Sequence, residues 1–175
     1  MDQGKREAYK AVFNSVLAFK FLDEEERRYI FDRSEIFHVE DGESFIKQGE
    51  LDPYLYIVLE GSANVTVKRD GKDVYICMLG AGEVMGEAGL FINVARTANI
   101  VACGPTVVLR LKREPFLAFV SKYPRGGSRI LLVIIYGLLK KLREANQELA
   151  FERKSDVVQE DIDELVSHII LGEAN

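Results

Sequence analysis

Between residues 34 and 111 the chain is cut into apolar runs too short for ordinary helices, and glycine or an acid separates almost every pair. Residues 35–39, 44–47 and 54–59 are β-branched or aromatic runs, punctuated by Asp41-Gly42, Gly49-Glu50 and Glu60-Gly61. The sharpest signal is Asp70-Gly71, flanked by residues 63–69 and 72–79. Asp-Gly supplies the positive φ values that a type I′ turn requires, so these two runs form a hairpin. Further strands follow at 98–103 and 106–111. Many short strands at regular spacing build an antiparallel barrel or jelly roll, not a parallel sheet.

Helical periodicity flanks this β region. Residues 5–31 read as helix, with Val12, Val16, Phe19 and Leu22 in register, and Asp23-Glu24-Glu25-Glu26 opens a second short helix with acid in its first turn. After Lys112, residues 114–121 form a helix that Tyr123-Pro124-Arg125-Gly126-Gly127 breaks, and Ser128 is placed to cap a long helix. Gly126-Gly127 is a natural hinge between the two. Along the long helix Leu131, Ile135, Leu138, Leu142, Ala145 and Leu149 alternate at four- and three-residue steps. That is either a coiled-coil seam or a single core-facing stripe. Val158, Ile162, Leu165 and Ile169 give residues 156–175 an apolar stripe of their own, either as a separate helix or as a continuation.

At 175 residues, with 47% hydrophobic and 29% charged side chains, the chain has ordinary globular composition and room for one well-packed domain. Its net charge of −5 is concentrated at the end, where residues 144–175 carry nine acids against Arg153 and Lys154. Such a tail repels phosphate backbones, which argues against DNA as a partner. The polar start MDQGKREAYK lacks the apolar core of a signal peptide. The apolar run 130–139 falls short of the about 20 residues a bilayer span needs, so no membrane partner is expected. Cys77 and Cys103 lie in strand-like runs without metal-ligand spacing and read as reduced core thiols of a cytoplasmic protein. His38 and His168 are isolated, no nucleophile–base set is readable, and neither a catalytic nor a metal site is expected.

The chemistry concentrates in residues 80–99. Gly80-Ala81-Gly82 after a strand invites a dinucleotide fingerprint, but that needs a helix directly after the glycines and an acid about 20 residues on. Residues 100–106 contain no Asp or Glu, and no βαβ alternation is present. Instead, Gly82-Glu83-Val84-Met85-Gly86-Glu87-Ala88-Gly89-Leu90, followed by Ala95-Arg96-Thr97-Ala98, resembles the phosphate-binding cassette of cyclic nucleotide-binding domains. These occur in catabolite-activator-type regulators, kinase regulatory subunits and cyclic-nucleotide-gated channels. Phe21-Leu22-Asp23, Gly49-Glu50 and Gly61 also resemble family positions. Met85 replaces the usual Phe, Gly89 the commoner Ala, and Ala95 the Pro before the arginine.

The resemblance implies a cyclic mononucleotide, cAMP or cGMP, bound by Gly86, Glu87, Ala88, Gly89, Leu90, Arg96, Thr97 and Ala98, with no cofactor. A short helix at residues 88–90 would present N–H groups to the phosphate. Arg96 would add a charge-assisted bond, and Glu87 would accept from the ribose 2′-hydroxyl. Thr97 would bear on the base, with Asn146 on the long helix as a lid residue. The domain would occupy residues 1–155, with helices 5–31, barrel 34–111 and helices 114–155, followed by an acidic amphipathic helix at 156–175. The implied role is a stand-alone sensor that homodimerises through its C-terminal helix and signals to a downstream protein. The competing reading is a ligand-free docking or dimerisation protein on the same fold.

Overall fold

The computed structural model describes residues 3–143 and 145–147 and divides the chain into two units, Met1–Val133 and Ile134–Asn175. In the first unit three helices come first: α1 (Gln3–Ser15), α2 (Leu17–Lys20) and α3 (Glu24–Phe31). The second helix expected from Asp23 is present as α3, whereas the first is interrupted at Val16, whose ψ of 127° is extended and ends α1. Val16, Phe19 and Leu22 of the expected stripe are buried, together with Phe13, which stacks on Phe19 at 4.5 Å. Asp23 caps α3: its carboxylate accepts from the Glu26 N–H at 2.8 Å, while Glu26 Oε2 accepts from the Asp23 N–H at 3.0 Å.

Eight strands follow: β1 (Glu35–Val39), β2 (Ser44–Ile46), β3 (Tyr54–Glu60), β4 (Ser62–Arg69), β5 (Lys72–Gly80), β6 (Val84–Met85), β7 (Asn99–Ala102) and β8 (Thr106–Lys112). They form two antiparallel four-stranded sheets in the orders β1-β8-β3-β6 and β2-β7-β4-β5. This is the expected jelly roll. Asp70 (φ 49°) and Gly71 (φ 77°) make the two-residue turn between β4 and β5, with Arg69 paired to Lys72. Only β6, two residues long, escaped the sequence reading.

Residues 55–59 of β3 are all buried because both faces of this strand are covered. Tyr56 and Val58 enter the core between the sheets with Val39, Ile46, Met85, Ile100 and Val108. Helices α1, α3 and α5 (Arg113–Lys122) bring Phe13, Ile30, Phe116 and Phe119 into a second apolar core, where α1 contacts β3 and α5 contacts β8. A continuous apolar run, not alternation, is what a strand covered on both sides requires.

Several expectations need correction. Residues 124–133 are helical from Pro124 onward, so Gly126 and Gly127 do not break the chain there. Ser128 lies inside that helix and donates its hydroxyl to the Pro124 carbonyl at 2.8 Å, which is no N-cap. Proline suits a first helical position because its missing N–H would be unpaired anyway. The glycines serve packing: a Cβ on Gly126 would collide with the buried Glu26 carboxylate, and one on Gly127 would sit 3.0 Å from Val120. Cys77 and Cys103 are exposed rather than core residues: Cys77 lies on β5, an edge strand with most of its length open to solvent, and Cys103 lies in the bend just after β7.

In the second unit residues 134–143 and 145–147 are helical. Ile134 is buried, whereas Ile135, Tyr136, Leu138, Leu139 and Leu142 are exposed. The stripe drawn through residues 135, 138 and 142 is thus solvent-facing in the isolated chain. Leu149, His168 and the 156–175 segment lie outside the described residues.

Candidate functional site

The turn after β6 begins at Gly86, whose φ of 80° favours glycine. The Gly89 N–H donates to the Gly86 carbonyl at 3.0 Å, and the chain closes into the short helix α4 (Ala88–Phe91). Leu90 is fully buried and anchors the turn, Gly89 is buried, Glu87 is half-buried and Ala88 is exposed. A helix at residues 88–90 was expected, and it is present with one residue more.

Arg96 arrives from the opposite side. Its backbone is pinned to the β2–β3 loop: its N–H donates to the Glu50 carbonyl and the Gly49 N–H donates to its carbonyl, both at 2.9 Å. The neighbouring pair Leu51 and Ala95 forms a β-bridge. Only 9% of Arg96 is exposed, which is rare for arginine without compensation. The compensation comes from Asp52 and Tyr54. Nη2 lies 3.1 Å from Asp52 Oδ2 and donates to the Tyr54 carbonyl at 2.5 Å, while Nε donates to Asp52 Oδ2 at 3.2 Å. Tyr56 donates its hydroxyl to the same Oδ2 at 2.9 Å, and its ring centroid lies 5.7 Å from the guanidinium carbon. Burial, reinforced by the hydrogen bond to Asp52, holds the Tyr56 phenol well above its ordinary pKa.

None of these bonds uses Nη1 of Arg96. That atom lies against the glycine turn: a Cβ on Gly86 would strike it, and one on Gly89 would fall 3.0 Å from it and 2.6 Å from the Asp52 carbonyl. Glycine at both places is what lets a buried guanidinium reach the turn. Gly86, Gly89 and Arg96 are therefore brought together as the sequence implied. Ala98 is half-buried at the head of β7, and Thr97 is exposed. Asn146 is helical and exposed in the second unit.

Sequence reading missed Asp52, Tyr54 and Tyr56. It also missed Arg113, whose Nε and Nη2 donate to the Gly89 carbonyl at 3.0 and 2.7 Å, and whose Nη2 reaches the Ile92 carbonyl at 2.8 Å. This arginine, at the first position of α5, satisfies carbonyls of the cassette helix. Phe91 packs edge-on against Phe116 of α5 at 5.8 Å, a second tie between the two helices. Among the described residues there is no cluster of three or more His, Cys, Asp or Glu side chains able to hold a metal, and no helix long and apolar enough to cross a membrane.

The fold and the site together are an antiparallel jelly roll whose glycine turn folds over a buried, acid-supported arginine. The cyclic nucleotide-binding domain model matches residues 36–123, half of the chain. The chain belongs to the cyclic nucleotide-binding domain family. It is 34% identical over 105 residues to the cAMP-dependent protein kinase type II regulatory subunit of Drosophila melanogaster, an alignment covering 60% of this chain and 28% of that protein. Among solved structures it is similar to the Thermus thermophilus catabolite activator protein, with TM-score 0.68 and 29% identity, covering 77% of this chain and 62% of that one. It is also similar to the regulatory domain of Toxoplasma gondii PKA with cAMP, with TM-score 0.62 and 25% identity, covering 68% and 46%. The chain thus spans little more than a quarter of the curated relative and under two thirds of each of these two structures.

Proposed function

We propose that this protein binds a cyclic mononucleotide, cAMP or cGMP, between the glycine turn and Arg96 and relays binding through its C-terminal helices as a stand-alone sensor. The observation that carries this reading is the buried Arg96 guanidinium, held by Asp52 and the Tyr54 carbonyl with Nη1 at the Gly86 and Gly89 turn. A cyclic phosphodiester carries one negative charge at neutral pH, and a fixed guanidinium recognises it by a charge-assisted bond. Gly86, Ala88, Gly89 and Leu90 supply the close backbone approach. Glu87 accepts from the ribose 2′-hydroxyl, and Thr97, Ala98 and Asn146 contact or cover the base.

Ligand binding signals only if it favours one arrangement of the module over another. The links that support a relay are Arg113 and Phe116, which tie the cassette helix α4 to α5. The binding module occupies residues 1–155, with 156–175 as an acidic appendage. Exposed Ile135, Leu138 and Leu142 support a homodimer through the C-terminal helix, and they equally favour the competing reading of a ligand-free dimerisation module.

Thermal unfolding separates the two readings. A sensor held at a hundredfold excess of ligand over its dissociation constant gains about 2.7 kcal/mol. That corresponds to roughly 5–10 °C in melting temperature for a chain of this size. The 2′-deoxy analogue shifts the midpoint less, because Glu87 loses its donor. A melting temperature unmoved by either cyclic nucleotide contradicts the sensor and leaves the dimerisation module.

A further inference from the structure

Each open sheet has two edge strands, and an unpaired edge is a template for another chain unless it is blunted. Three of the four edges here are blunted. β2 and β6 are only three and two residues long, and β1 carries Glu35 and His38. The fourth edge, β5, is nine residues long, and its residues 74–79 hold neither a charge nor a proline. β5 pairs with β4 on one side, and among the described residues no strand pairs with its other side.

All of residues 72–78 are exposed, and Tyr75, Ile76 and Met78 are each more than half so. Part of this apolar surface lies on the outside of the sandwich. Leu79 stands opposite the fully buried Ala63 and faces the core, so Met78, opposite Asn64, faces outward. Tyr75, opposite Thr66, shares that outer face. At the far end the Gly80 N–H donates to the Glu83 carboxylate at 2.6 Å, which closes the open stretch there. Lys72 marks the near end and makes no ion pair among the described residues.

These ends define the occupant. A strand added antiparallel, as every pair in this sheet is, starts opposite Glu83 and finishes opposite Lys72. It therefore brings a cation first, an uncharged β-branched centre, and a carboxylate last. A second copy of β5 fits poorly. The register of β5 slips at Ile76, and two-fold self-pairing there sets one bulge against another, where each disrupts its ladder. We propose that the open edge of β5 docks an extended segment of a partner protein, basic at its start, β-branched through its centre and acidic at its end, as a fifth strand of the sheet.

The test uses the full chain and an acetylated, amidated heptapeptide: lysine, valine, threonine, valine, threonine, valine, glutamate. Its titration, followed by amide NMR signals, gives saturable shifts centred on residues 74–79. Alternate N–H groups of a strand point to opposite edges. N-methylation of the valines and of the threonines therefore has opposite results, one abolishing the shifts and the other sparing them, which apolar contact alone does not produce. Met78→Lys places a charge on the edge and weakens the peptide by about fivefold while cAMP binding stays unchanged. Lys72→Glu shifts the preference toward a peptide ending in lysine. No saturable shift at residues 74–79, equal effects of the two methylated peptides, or unaltered affinity in both variants overturns the proposal. Concentration-dependent shifts at these residues without peptide assign the edge to a second copy and overturn it as well.

Discussion

Arg96 and Asp52 are 44 residues apart in sequence and form one unit in the fold. Removing either leaves the other buried and unpaired, so Asp52→Ala lowers stability by about 3 kcal/mol, read as a fall in urea midpoint. Gly89→Ala drives a methyl group toward the Asp52 carbonyl and Arg96 Nη1. Its expected cost is about 1–3 kcal/mol with weakened nucleotide binding, while unchanged stability and affinity would refute the close-packing role. Tyr56 gives a pH signature. Burial first, and then the bond to Asp52, raise its pKa above the unfolded value of 10, so the folded state binds the extra proton above that pH. Stability is therefore complete below about pH 10 and falls as pH rises toward the folded pKa. In Tyr56→Phe this part of the alkaline loss disappears, and a urea midpoint falling as steeply as in the wild type would contradict the assignment. The arginine and its glycines were legible because the cassette is contiguous in sequence. Asp52 was not, since an acid before Pro53 reads as an ordinary loop residue and its partner lies far along the chain.

Helices and strands followed the same division. The hairpin at Asp70-Gly71, the β3 run and α5 were legible from turn chemistry and apolar patterning. The two-residue β6 was too short to carry a pattern. Gly126-Gly127 misled because glycine is a poor helix former, yet tertiary packing overrides a penalty of about 1 kcal/mol per glycine. The space a side chain would fill at Gly126 is taken by Glu26, the residue that completes the α3 cap. Gly126→Ala therefore destabilises the protein even though alanine is the better helix former. In a Glu26→Ala background the same change becomes neutral or stabilising. A double-mutant cycle by denaturant titration measures this coupling, and additive effects would contradict it. Arg113 connects elements in another way, as a side chain of α5 that completes α4. Arg113→Ala is expected to keep nucleotide affinity within a few-fold while uncoupling ligand from helix movement, checked by hydrogen exchange across residues 113–122. Protection changes equal to the wild type would rule that link out. Cys77 was misplaced because alternation alone does not reveal that β5 is an edge strand, and Cys103 because the strand expected over 98–103 ends at Ala102.

At the scale of the molecule, the two sheets and the helical layer of the first unit form the frame on which one glycine turn meets one buried arginine. The composition and the strand rhythm sufficed for that frame, while the supporting carboxylate and the tie to α5 emerged only in three dimensions. The exposed residues 135, 138 and 142 predict self-association. Light scattering should return twice the monomer mass, and Leu138→Glu should return the monomer. The central claim is that Arg96 and the glycine turn bind a cyclic nucleotide. Isothermal titration calorimetry of cAMP and cGMP into the wild type and Arg96→Gln tests it most directly. The expected result is a saturable heat with one site per chain for at least one nucleotide, and an affinity about a hundredfold lower in the variant. Equal heats in both proteins, or none with either nucleotide, would contradict it.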